Sequence, residues 1–182
     1  MGYEIRISGE GGQGVILAGI ILAEAAIEDG KNVAQAQAYG PESRGGATKS
    51  EVIISDQEID YPKASSLDLL LALTQEACDK HRQDLKEGGM LVVEASRVAT
   101  VPQGGYLVHR LPFLGTAQET AGKALFANIV ALGAVVALSG VVSREAIERA
   151  VAARAPKGTG EQNLRALAAG FELVTTEKRV AV

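Results

Sequence analysis

From Ala124 to Val142 the chain reads ALFANIVALGAVVALSGVV, without one charged side chain. That run stands at the ~18-residue threshold for a membrane-spanning helix. Much of it is Ala and Gly, whose side chains gain little on leaving water. Asn128 interrupts it, and no aromatic or Lys/Arg anchors bracket both ends. It therefore reads as a central helix, buried on nearly all sides between a sheet and a partner surface. The chain around it has 182 residues, 47% of them hydrophobic and 22% charged. That is enough to bury a core without disulfides or metals.

The rest alternates between strand-like and helix-like patterns. Residues 3–8 (YEIRIS) place apolar side chains at alternate positions, as a strand does. Val15 to Ile27 is apolar almost all round and predicts a buried helix, with Gly30 as its cap. Asn32 to Ala38 reads as a second strand and Ser50 to Ser55 as a third, with Tyr39 to Lys49 a polar loop between them. Asp68–Leu73 and Met90–Glu94 are continuous apolar runs, as in parallel strands covered on both faces. Gln75 to Lys86 predicts an amphipathic helix stopped by Gly88-Gly89. Tyr106 to Leu111 predicts a strand, and Thr116 to Ser139 one apolar helix. Ser143 caps a helix to Ala153, and a last helix covers about Glu161 to Glu177.

This order predicts the α/β class: a three-layer α/β/α, Rossmann-like domain with a mainly parallel sheet. No helix is predicted between the second and third strands, so the sheet should be mixed, with at least one antiparallel strand. No linker divides the chain, and residues 1–182 read as a single domain.

Several functions are excluded by composition. The net charge is −4 and the pI about 5.3, so no basic field is available for nucleic acid. Cys78 is the sole cysteine, whereas an iron–sulfur cluster takes about four thiolates. The opening MGYEIRIS lacks a basic segment followed by an apolar run, and residue 6 is Arg where a myristoylation signal has Ser or Thr. A cytoplasmic, membrane-free protein is expected. His81 and His109 have no nucleophile or acidic partner at motif spacing, so no catalytic pair is visible.

Two glycine loops remain. Gly9, Gly11 and Gly14 fit G-x-G-x-x-G between a strand and a helix. Glycines permit a tight turn and close approach of a ligand, and the helix start attracts phosphate or carboxylate. The same glycines could serve only to pack strand against helix. A dinucleotide fold wants Asp or Glu about 20 residues on, and residues 34–38 (AQAQA) carry none. Gln13, beside Gly12, could aim an amide at a ligand or tie the loop to a neighbour. The second stretch runs from Tyr39-Gly40 through Pro41, Glu42, Ser43 and Arg44 to Gly45-Gly46. Arg44 offers a planar fork for carboxylate or phosphate, which Glu42 could orient. A stiffening salt bridge is the other reading. By topology this loop leaves the carboxyl end of the second strand, on the rim that carries the first loop.

GEGGQGV at 9–15 with YGPESRGGATKSEV at 39–52 closely resembles the gamma component of 2-oxoacid:ferredoxin oxidoreductases, nearest to the 2-oxoglutarate type. Pyruvate, ketoisovalerate and indolepyruvate enzymes carry relatives. The likeness continues through DYPKASSLDLLLALTQEA, LKEGGMLVVEAS, ANIVALGAVVALSG and APKGTGEQN, over about residues 3 to 175. Glu10 and Ser43 depart from the family pattern, where a small or apolar residue and Ala are usual.

The resemblance implies an enzyme that oxidatively decarboxylates a 2-oxoacid with coenzyme A, giving acyl-CoA and CO2 and reducing ferredoxin. It implies alpha, beta and ferredoxin-like delta partners. Thiamine diphosphate with Mg2+, and [4Fe-4S] clusters, would sit on those partners. This chain alone would be non-catalytic. It would help to hold or admit coenzyme A through Gly9, Gly11, Gly12, Gln13, Gly14, Tyr39, Gly40, Glu42, Arg44, Gly45 and Gly46. The alternative left open by the residues is a free-standing nucleotide- or coenzyme-binding module.

Overall fold

The structure is a computed structural model that describes residues 2–40 and 46–180. Among the described residues six strands form one sheet: β1 (Tyr3–Glu10), β2 (Asn32–Tyr39), β3 (Ala47–Ser55), β4 (Leu67–Ala72), β5 (Leu85–Glu94) and β6 (Leu107–Leu111). Their order is β2-β3-β1-β4-β5-β6. β3 runs antiparallel to both neighbours, while β1, β4, β5 and β6 are mutually parallel. The expected mixed sheet thus arises from one reversed strand. The connection from β2 to β3 is a hairpin, too short for the dozen or more residues that a parallel crossover needs.

Six α-helices among the described residues pack around the sheet: α1 (Val15–Glu28), α2 (Gln75–His81), α3 (Phe113–Ala121), α4 (Ala127–Ser139), α5 (Arg144–Arg154) and α6 (Gly160–Val180). Strand alternation divides the core. Ile5, Ile7, Leu69, Leu71 and Val92 face the larger cluster, with Ile21, Phe113, Ile129, Ile147 and Leu167 from the helices. Leu70, Ala72, Leu91 and Val93 face a smaller cluster with Ala77 and Cys78 of α2. The layers are therefore unequal, and the α2 layer leaves the β2–β3 hairpin uncovered on that face. At the opposite end of α1, Gly30 (φ 74°) closes a Schellman-type end, with Lys31 N–H bonded to the Ala26 carbonyl. Ser143 caps α5 by accepting from the Ala146 amide at 3.1 Å.

Four local expectations are corrected. The single helix 116–139 is two: Gly122 (φ 80°) ends α3, and a 3₁₀ turn at Ala124–Phe126 leads into α4. The helix from Gln75 stops at His81 in a 3₁₀ turn, and Gly88-Gly89 lie inside β5. There the register slips between Leu67 and Leu69, which the left-handed Gly88 (φ 75°) permits. β3 starts at Ala47, so the polar loop is shorter than expected. Finally, α4 needs no partner surface. α6 covers it, and Gly133 and Gly170 let the two helix backbones touch, since a Cβ on either would collide with the other helix's carbonyls. No helix among the described residues is long and apolar enough to cross a membrane.

Candidate functional site

β1 and β2 point the same way, so their following loops leave the sheet at one rim. The loops are joined there: Gly11 N–H donates to the Gly46 carbonyl at 2.9 Å. The hairpin closes through Gly40 N–H to the Ala47 carbonyl. Of the hairpin residues singled out from sequence, Glu42, Arg44 and Gly45 lie outside the described residues. Tyr39, at the end of β2, is exposed.

The glycines of the first loop have different tasks. A Cβ on Gly9 would strike the Gln13 side chain, and one on Gly14 would strike Asn128. These two serve close packing. Gly12 takes φ 91° with open space around it, so its backbone is accessible to a ligand. Gln13 is turned inward, its Oε1 accepting from Glu10 N–H at 2.8 Å, which ties the loop to itself. α1 begins at Gly14 with no side-chain cap and no acidic residue in its first turn. Its leading amides are thus without a side-chain partner of the usual kind. Asn128 of α4, buried at this point, donates to the Gly14 carbonyl at 3.3 Å.

Two cavities adjoin the rim. The first, about 580 Å³, lies on the α2 face, between the hairpin and α2. Ser8, Tyr39, Gly40, Gly46, Thr48 and Lys49 form the sheet side, and Glu76, Lys80 and His81 the helix side. Its size is within the usual range for small-ligand sites. The second lies at the switch point, where β1 leads to a helix on one face and β4 to a helix on the other. It measures about 130 Å³ and is lined by Glu10, Gly12, Glu94, Arg97 and Asn128 among others. Arg97 and Glu10 pair at 3.6 Å beside it. Glu94 is buried, accepting from Ser96 and from the Leu114 amide. A crevice this small, bearing two carboxylates, suits a nucleotide poorly.

The sequence reading missed a buried charge network beneath the first cavity. Arg6, on the α2 face of β1, bonds Glu51 at 2.8–2.9 Å, the Ala64 carbonyl at 3.1 Å, Asp84, and His81 Nδ1 at 3.3 Å. Lys49 also bonds Glu51, at 2.9 Å. Burial pushes the Glu51 carboxyl up, but Lys49 and Arg6 together hold it below the usual range. Burial and then the Arg6, Lys49 and Lys80 charges push His81 down to about 4. One signal was present in the sequence: alternation in YEIRIS sets Arg6 opposite Ile5 and Ile7, hence in a second buried layer that demands partners. His109 is paired with Glu177 at 2.7 Å, away from this rim. Cys78 is buried and its thiol is pushed up by burial, so it is neither a ready nucleophile nor one of several cluster ligands.

With this geometry in hand, known proteins give a consistent comparison. The sequence pattern of the family described as pyruvate ferredoxin/flavodoxin oxidoreductase matches residues 4–173. The 2-oxoglutarate synthase subunit KorC of Methanocaldococcus jannaschii is 48% identical over 176 residues, 95% of this chain and 94% of that one. The crystal structure of the keto/oxoacid ferredoxin oxidoreductase gamma subunit from Geobacter sulfurreducens is 55% identical, with a TM-score of 0.86, covering 96% of this chain and 99% of that one. The 2-oxoglutarate:ferredoxin oxidoreductase of Magnetococcus marinus, solved with 2-oxoglutarate, coenzyme A and succinyl-CoA bound, shares the fold. Its TM-score is 0.86 at 24% identity, covering 96% of this chain and 31% of that one.

Proposed function

The chain belongs to the pyruvate ferredoxin/flavodoxin oxidoreductase family, and on that premise we propose that its two-loop rim receives coenzyme A in a 2-oxoglutarate-type enzyme. The chain is the gamma subunit of a 2-oxoacid:ferredoxin oxidoreductase. That enzyme converts a 2-oxoacid and coenzyme A to acyl-CoA and CO2 and passes two electrons to ferredoxin. The alpha, beta and ferredoxin-like delta components are its partners in this reading. In the Magnetococcus enzyme the same fold occupies about a third of a longer chain, which supports intimate contact with another component.

The observation that carries the reading is the Gly11–Gly46 bond, which makes one rim of two loops. Beside it lie the accessible Gly12 backbone, the open start of α1, and a cleft with Lys49 and Lys80 in its wall. Amides and ammonium groups of this kind suit the phosphates of coenzyme A. Small residues at 38, 40 and 46 leave room for a thin chain to lie against backbone. Electron transfer and carbon–carbon cleavage are assigned to groups on the partners: thiamine diphosphate with Mg2+, and the clusters. One buried thiol does not fit a four-thiolate cluster on this chain. This chain's residues bind and orient the thiol-bearing coenzyme and exclude water near it.

Arg44→Ala in the assembled enzyme tests the reading. The expected result is a rise in KM for coenzyme A of roughly ten-fold, the loss of one charge-assisted contact, with KM for the 2-oxoacid unchanged. Failed assembly with unaltered kinetics in the residual complex would make the loop an interface element instead.

A further inference from the structure

Among the described residues the sheet ends on β6 at one side and on β2 at the other, and the two edges are built differently. β6 is five residues long, carries His109 and Arg110, and is closed by Pro112. Short length, charge and proline are the usual means by which an edge avoids pairing with another chain. β2 has none of them. It runs for eight residues without a charged side chain or a proline, and it pairs with β3 in unbroken register. Most of it is exposed. At the rise of an antiparallel strand it offers an edge of about 27 Å.

Two backbone bonds fix which groups of β2 point outward. Gly40 N–H donates to the Ala47 carbonyl, and the Gly46 carbonyl accepts from Gly11 on the β1 side. Successive residues of a strand alternate in direction, so β3 turns its odd-numbered residues to β2 and its even-numbered ones to β1. On β2 the partners of those odd-numbered residues are Asn32, Ala34, Ala36 and Ala38. The N–H and C=O groups of Val33, Gln35, Gln37 and Tyr39 therefore face away from the sheet, along its open edge.

The order of residues along that edge indicates what fits it. Positions 34–38 read Ala-Gln-Ala-Gln-Ala, the same in both directions. An antiparallel second copy, related by a two-fold axis at Ala36, sets Gln35 against Gln37 of that copy and Val33 against its Tyr39. These are the outward-facing residues, and each such pair exchanges two N–H···O bonds. In the intervening pairs the strands come closest, about 4.5 Å between Cα atoms. Those pairs are Ala36 with Ala36 and Ala34 with Ala38, so a methyl group stands wherever the two backbones crowd. A Gln amide both donates and accepts, so Gln meets Gln without repulsion. A two-fold interface has this reciprocity, residue i meeting j while j meets i.

We propose that β2 is a self-recognition edge, through which two copies of this chain join their sheets antiparallel about Ala36. The pairing does not depend on where coenzyme A binds. Because the joined strands point oppositely, the two hairpins and their rims lie at opposite ends of the seam.

Sedimentation of the full chain at about 100 µM, which populates any dimer of micromolar affinity, should give twice the 18.9 kDa of one copy. Amide exchange reads the register. Gln35 and Gln37 should gain protection as concentration rises, whereas Ala36, bonded to β3, is protected throughout. Ala36→Lys alters an exposed side chain and sets two ammonium groups face to face. It should raise the dissociation constant about a hundred-fold. Ala36→Glu should do the same, and an equimolar mixture of the two variants should dimerise again. With oxidised glutathione, Ala36→Cys should form a covalent dimer. Ala34→Cys should not link to itself but should link to Ala38→Cys. Cys78 is buried and takes no part. A monomer at that concentration, or a dimer that Ala36→Lys leaves intact, overturns the proposal. Self-linked Ala34→Cys overturns the register. Protection of Gln35 and Gln37 in the assembled enzyme that survives Ala36→Lys would give the edge to another component, and would overturn self-recognition.

Discussion

The N–H of Gly11 donates to the carbonyl of Gly46 at 2.9 Å, across 35 residues of sequence. That bond joins the turn after β1 to the hairpin after β2. It makes a shared rim out of two segments that are otherwise independent. The stability of the rim then depends on the elements beneath it.

Gly14 is held at φ 72° against Asn128. Gly14→Ala should cost about 1–2 kcal/mol for the left-handed backbone alone, and more for the displaced amide. Denaturant unfolding measures it. Gly12→Ala, with φ 91° and open space, should show the backbone cost without the collision. Equal losses at the two positions would contradict the division of tasks between them.

Gly133 and Gly170 set the α4–α6 distance. Gly133→Ala should destabilise the chain by about 1–3 kcal/mol, the ordinary range for overpacking, with a lowered Tm. An unchanged Tm would mean that the helices do not touch as described.

Tyr3 places its hydroxyl in the core with no partner, and burial, aided by the Asp68 charge, pushes it up to about 12. Tyr3→Phe removes an unpaired buried polar atom while keeping the ring. It should be neutral or stabilise by about 1 kcal/mol. A clear drop in Tm would show that the hydroxyl is bonded in solution.

His81 makes stability sensitive to acid. Its folded value, about 4, lies below the ordinary 6.5 because of burial and the Arg6, Lys49 and Lys80 charges, with Asp84 opposing. Between these values the unfolded chain binds more protons than the folded one. The neutral ring's contribution is therefore intact above about pH 6.5 and is lost as pH falls through about 4. The Tm of the unmodified chain should fall between pH 7 and pH 4.5, and that of His81→Gln should fall less. Parallel decline of the two curves would contradict the assignment.

Much of this architecture was legible in the sequence, because period-two and continuous apolar runs mark strands directly. β1, α1, β4 and α5 with its Ser143 cap follow from pattern alone. The reversed β3 followed from a missing helix. What was not legible depended on contacts between distant segments. The apolar stretch around Gly122 reads as one helix until the left-handed glycine and α6 divide and cover it. The charge-free α4 suggested a partner surface because nothing local reveals that α6 lies over it. Likewise, Arg6, Glu51, His81 and Asp84 come from four separate elements. Only the fold brings them under the rim that the glycines had already marked.

The most direct test of the shared rim is hydrogen–deuterium exchange on the assembled enzyme with and without coenzyme A. Peptides covering Gly9–Leu17 and Ala38–Lys49 should gain protection together on adding the coenzyme, over the same concentration range. Protection confined to one of the two, or absent from both while other surfaces respond, would contradict the account.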